Sequence, residues 1–158
     1  MGRQLVGILF FLCATLLGGG LFAQSDLTVR AADGSATVAL SLDDLQALPQ
    51  HDVVTANEFV DGVKTFRGPL VRDLLQKYGG AKAVTATLTA ANDYQIDVAV
   101  KEFYDYDAIL ALSMDGDALS SRDKGPIWMI YPMSDHAELR DPVYNSRLIW
   151  QVVRIEYR

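Results

Sequence analysis

The densest collection of groups able to do chemistry lies between Ser134 and Arg147: Ser134, Asp135, His136, Glu138, Arg140 and Asp141, running on to Tyr144, Asn145 and Arg147. Loops held by rigid strands are where binding groups collect. Three familiar chemistries fail on residue type and spacing. Zinc needs three or four protein ligands, and the only histidine besides His136 is the distant His51. Ser134 has none of the glycines that surround a nucleophile elbow. Lys124-Gly125-Pro126 lacks the further glycines and the following hydroxyl of a phosphate cradle. Arg147 is different: a long planar cation at the mouth of an apolar run can stack on a ring or meet a carbonyl, or else pair with Asp135, Glu138 or Asp141.

The elements that must position these groups are legible from patterning. Two apolar blocks, 125–132 and 144–155, bracket the polar loop and are predicted as buried strands, with Trp128 and Trp150 expected in the core, from where either could line a pocket from below. Upstream, after a short polar lead, 36–40 alternates as an edge strand. Ser41 caps a short helix with Asp44 at its third position, and Pro49 ends it. A strand over 52–55 leads into a polar loop turning at Asp61-Gly62. Phe66-Arg67-Gly68-Pro69 then precedes a helix over 70–78, with Leu70, Leu74 and Leu75 on its core face and Gly79-Gly80 closing it. Segments 83–89 and 95–100 form a hairpin about Asn92-Asp93-Tyr94. A helical turn falls within 101–107 and a strand over 108–114. No repeat or linker divides this pattern, so one compact α+β domain is expected, with a mixed sheet and a few short helices.

The chain begins with Arg3, an apolar run over 5–17, three glycines and Leu-Phe-Ala before Gln24. Residues 1–23 are predicted to be a secretory signal peptide, too short and interrupted for a spanning anchor, which places the domain 24–158 in the periplasm. The exported chain of about 135 residues is enough for one domain. Cys13, the only cysteine, lies in the signal, so neither disulfides nor thiolate ligands are expected. The formal charge of −6 disfavours nucleic acid and anionic lipid as partners.

The run from Leu110 through Met114-Asp115-Gly116 to Gly125-Pro126 and Pro132 resembles the molybdopterin-binding domain of the sulfite-oxidase family. So does its order relative to the 70–78 helix and the closing Trp150-to-Ile155 stretch. In that family a cysteine thiolate ligates molybdenum, and the matching stretch here is Val54-Thr55-Ala56-Asn57, which has no soft ligand. The combination is similar to periplasmic pterin-binding regulatory proteins that use this fold without the metal. The resemblance implies a reduced pterin as ligand, no molybdenum or other metal, and a partner in the periplasmic region of a membrane-bound cyclic-di-GMP enzyme. A molybdopterin-dependent oxidoreductase subunit and a ligand-free protein–protein adaptor are the alternatives.

A pterin presents two adjacent N–H donors beside a carbonyl. A carboxylate accepts both donors in a fork, an amide or guanidinium meets the carbonyl, and aromatic planes cover the faces. The candidates fall in three groups: Asn57, Glu58 and Phe59, with Asp61 following; Asp93 and Tyr94 at the hairpin turn; and Tyr131, Asp135, Tyr144, Asn145, Arg147 and Trp150 in the closing stretch.

Overall fold

Leu27, Val29 and Ala31 alternate with Thr28 and Arg30, and every apolar member is buried while the polar ones reach solvent. This strand, β1 (Leu27–Ala31), belongs to the 26–158 segment that the computed structural model describes. The signal-peptide expectation lies outside those residues. β1 was expected as a polar lead. Its five residues are too short a pattern to declare themselves, and they are fixed by parallel pairing with the end of the chain.

β2 (Thr37–Leu40) pairs back on β1 as the expected edge strand. α1 (Leu42–Gln46) starts at Ser41, whose hydroxyl accepts from the Asp44 amide while the Asp44 carboxylate accepts from the Ser41 amide, the reciprocal box expected at a helix start. Next come β3 (Gln50–Thr55), β4 (Lys64–Pro69), α2 (Val71–Lys77), the hairpin β5 (Thr85–Ala90) and β6 (Gln95–Ala99), and α3 (Val100–Asp105). Then follow β7 (Ile109–Ala111), β8 (Ser113–Met114), β9 (Asp117–Ala118), β10 (Trp128–Ile130), two short 3-10 helices at Ala137–Arg140 and Pro142–Arg147, and β11 (Val152–Tyr157).

Three sheets result: a mixed one ordered β2-β1-β11-β5-β6, an antiparallel one ordered β3-β4-β8-β9, and the β10-β7 pair between. The core at their junction holds Phe66, Trp128, Phe103 and Leu74 with no exposed surface. The Phe66 and Trp128 rings meet edge-on at 5.5 Å, and the Trp128 indole N–H donates to the Leu148 carbonyl at 3.0 Å.

Three expectations are corrected. The block 144–155 is not one strand: it opens as a 3-10 helix begun by Pro142 under an Asp141 cap, and Gln151 adopts a left-handed φ of 51° before β11 begins. The first block, 125–132, is strand only over its middle three residues. Residues 64–69, expected as loop and lead-in to α2, form a full strand. Gly68 is tolerated there because β4 crosses β7 at backbone contact.

Surface carboxylates give the fold a defined response to acid. Asp44 is held below the ordinary aspartate value of 3.8 by the Ser41 hydroxyl and then the Ser41 amide. Asp115 is lowered by the Thr65 amide and then Lys64, and Asp97 by the Thr87 hydroxyl and then Arg158. Each folded value lies below its unfolded one, so the stabilisation is complete above the unfolded value and is lost as pH falls through the folded ones. Urea midpoints are therefore expected to be flat from neutrality to about pH 5 and to decline below about pH 4. A decline already present at pH 6 would contradict this assignment.

Candidate functional site

Thr55, the last residue of β3, is fully buried although polar, and its hydrogen bonds explain why. Its hydroxyl oxygen accepts from the Ser134 amide at 3.0 Å, and the Ser134 hydroxyl oxygen accepts from the Ala56 amide at 3.1 Å. This reciprocal clamp fixes the loop after β3 against the loop after β10. Beyond it, the Asn57 side-chain oxygen accepts from the Phe59 amide at 2.9 Å and sets the turn that presents Glu58 and Phe59. The Asn57 Nδ2 group is buried and has no hydrogen-bond partner among the described residues. An unpaired buried donor costs about 1–3 kcal/mol unless something supplies an acceptor.

Glu58 and Phe59 form one wall of a cleft of about 410 Å³. The β5–β6 hairpin supplies the second wall through Ala90, Asn92 and Tyr94, shaped by the Asn92 side-chain oxygen accepting from the Tyr94 amide and by Asp93 at a φ of 65°. Asn145, Ser146, Leu148, Ile149 and Trp150 supply the third. Phe59 meets Trp150 edge-on with ring centres 5.1 Å apart. Trp150 is 38% exposed, in contrast to the sealed Trp128. The left-handed Gln151 that follows it is anchored by its side-chain amide donating to the Ser121 and Asp123 carbonyls.

The three groups of candidates, far apart in the chain, thus converge in part. Glu58, Phe59, Tyr94, Asn145 and Trp150 line this cleft, and Asn57, next to Glu58 in the chain, does not. Asp93 is the turn residue and does not line this cleft. Asp135 lines a separate cleft with His136 and Tyr106. Tyr144 packs edge-on against Tyr106 at 6.3 Å, outside the first cleft.

Tyr131 is fully buried, with its hydroxyl 3.5 Å from Glu102 Oε2. Burial, and after it the Glu102 charge, pushes its phenol well above the ordinary tyrosine range. Arg147, expected as the principal polar contact with a ligand, is instead committed to Glu102: Nε donates at 3.1 Å and Nη2 at 3.3 Å, with both side chains about four-fifths buried. Asn92, Ser146 and the apolar Ala90, Leu148 and Ile149 line the cleft without having been expected there, and Glu102 and Tyr106 were not expected beside Tyr131, Arg147 and Tyr144. Asn92 alone carried a signal, as part of the turn triplet.

Among the described residues Glu58 is the only lining group of the first cleft that carries a formal charge at neutral pH, so no Lys or Arg stands there to meet a phosphate. The cleft has no thiol among the described residues, and no group of three or more His, Cys, Asp or Glu among them comes together. The donor set therefore does not fit a phosphate-bearing molybdopterin with a thiolate-held metal. It does fit a neutral flat heterocycle. The volume falls in the range of about 300–1,000 Å³ usual for small-molecule sites.

The family described as the oxidoreductase molybdopterin binding domain matches residues 23–135. The third wall of the cleft thus lies beyond the matched segment. No curated protein matches the chain. Among solved structures, the crystal structure of the sulfane dehydrogenase SoxCD from Paracoccus pantotrophus superposes with a TM-score of 0.62 at 12% identity. The superposition covers 83% of this chain and 37% of that one, so the chain spans little more than a third of that protein's length. At this identity the likeness is one of fold.

Proposed function

The chain belongs to the oxidoreductase molybdopterin-binding domain family and has the sulfite-oxidase-type fold; from that premise we propose that it is a periplasmic, non-enzymatic pterin-binding protein. In this reading it holds a reduced pterin in the Phe59–Trp150 cleft and reports the bound state to the periplasmic region of a membrane-bound cyclic-di-GMP enzyme. The observation that carries the ligand half is the composition of the cleft. Three aromatic side chains, one carboxylate and three small polar side chains converge with no cation among the described lining residues. The signalling half is supported by the resemblance to periplasmic pterin-binding regulators.

Each part has a task. Glu58 accepts the paired N–H donors of the aminopyrimidinone edge, and Asn145 donates to its carbonyl. Trp150 covers a ring face. Micromolar affinity requires about 8 kcal/mol. Stacking supplies about 1–3 kcal/mol per contact, and the polar contacts must carry the rest.

Protein purified from periplasm is expected to carry a pterin, detected by its blue fluorescence after oxidation, without molybdenum and, once stripped, to bind a reduced pterin one to one near the micromolar level. Stoichiometric molybdenum by elemental analysis would replace this reading with the oxidoreductase. Absence of any bound pterin, together with no thermal shift on adding one, would replace it with the adaptor.

A further inference from the structure

β3 ends its sheet, and its free edge is open. The Thr65 and Arg67 carbonyls accept from the Asp115 and Leu112 amides, both at 2.8 Å, so these residues of β4 turn their main chain toward β8. Their neighbours Lys64, Phe66 and Gly68 therefore face β3, opposite Thr55, Val53 and His51. In an antiparallel ladder the alternate residues point the other way. The N–H and C=O groups of Gln50, Asp52 and Val54 thus face outward. No backbone hydrogen bond from elsewhere among the described residues reaches Asp52 or Val54.

A cleft of about 480 Å³ lies at this edge, and it shares no lining residue with the pterin cleft. Asp52, Asp105, Asp107 and Asp135 surround Val54 and Tyr106, and among the described residues the lining has no Lys or Arg and a single His, His136. Arg67, Lys101 and Arg72 pair with the first three carboxylates from outside the cleft, and Asp135 has no salt bridge among the described residues. The Asp52 and Arg67 side chains are each 52% exposed, so that pair is weak and exchangeable. Val54 is 53% exposed, an apolar side chain standing among carboxylates. Free strand edges are normally blunted by lysine, proline or a bulge. Gln50, Asp52 and Val54 include no lysine or proline and their pairing with β4 has no bulge; the one charged side chain among them, Asp52, repels an acidic strand and not a basic one.

We propose that the outer edge of β3 is a docking strand for an extended, lysine- or arginine-rich segment of a partner protein. The segment adds to the sheet by backbone hydrogen bonds to Asp52 and Val54, with its cations facing Asp135 and the neighbouring carboxylates. A second copy of this chain is the wrong occupant, because pairing the same edge across a two-fold axis would bring Asp52 and Asp135 of both copies together. This edge is a different face from the pterin cleft, and docking there stands whether or not a pterin binds.

The test uses a peptide as long as the six-residue β3, alternating Lys and Val, against a Glu–Val counterpart, titrated into isotopically labelled protein and followed by amide hydrogen exchange. The Lys–Val peptide is expected to bind, to weaken with salt and to protect the Asp52 and Val54 amides; the Glu–Val peptide should not bind. Val54→Pro removes an outward N–H while sparing the β4 ladder, as proline on an edge strand can, and should weaken binding about tenfold. Asp135→Lys leaves the strand intact and should weaken it by about the same factor. Both variants are first checked for cooperative unfolding. Equal binding of the two peptides, unprotected Asp52 and Val54 amides at saturation, no binding of the Lys–Val peptide, or dimerisation through this edge would each overturn the proposal.

Discussion

Gly68→Ala is expected to leave little or no folded protein at moderate temperature. A Cβ at this position would stand 1.9 Å from the Leu110 carbonyl oxygen, 2.6 Å from its carbon and 2.9 Å from the Ala111 Cα. All three are backbone atoms, so no side-chain rotation relieves the overlap. β4 or β7 must move, and β7 carries Ile109, Leu110 and Ala111, all fully buried. The cost should exceed about 4 kcal/mol, the level reserved for core disruption, against a total stability of about 5–15 kcal/mol for a domain. Gly116→Ala is the informative control. Gly116 has a φ of 92° but nothing within 4 Å of where an added methyl would sit, so only backbone strain of about 1 kcal/mol applies. Urea unfolding of both variants checks the contrast; similar midpoints would mean that β4 and β7 are not in backbone contact.

The same glycine shows where sequence reading stops. Phe66-Arg67-Gly68-Pro69 looks like a lead-in to α2, because glycine and proline are turn residues in isolation. Only the crossing of β7, some forty residues later, makes Gly68 a strand residue. What was legible was local: the Ser41–Asp44 cap, the core face of α2 at Leu74 and Leu75, and the hairpin turning at Asp93 each depend on neighbours within a few positions. What was not legible was set across the chain. β1 becomes a strand by pairing with β11, and Arg147 finds Glu102 rather than the nearer Asp135, Glu138 or Asp141. The apolar run Leu148-Ile149-Trp150 reads as strand by composition. Instead the backbone turns left-handed at Gln151 and delivers Trp150 to a cleft. Residue types therefore indicated Glu58, Phe59, Tyr94, Asn145 and Trp150 as lining residues, while the division between cleft and core among the rest followed from tertiary pairing.

Trp150→Ala is expected to raise the dissociation constant for a reduced pterin by about 5- to 150-fold, the loss of one stacking contact of about 1–3 kcal/mol. Phe59→Ala should have a smaller effect alone, because Phe59 meets Trp150 edge-on and acts on the ligand partly by holding that ring. The double variant should consequently lose less than the sum of the two. Neither change should unfold the protein, since Trp150 is 38% exposed and Phe59 only partly buried against the core. Arg147→Ala is a poor probe of the same cleft. It strands Glu102 beside the buried Tyr131, and breaking a largely buried pair costs about 3–5 kcal/mol in stability. A loss of pterin affinity in that variant would report a displaced 3-10 helix, which carries Asn145 and Ser146, as readily as a lost contact. Isothermal titration of the Trp150 and Phe59 variants, with their melting temperatures measured alongside, separates the two. Unchanged affinity in both would place the ligand elsewhere on the fold.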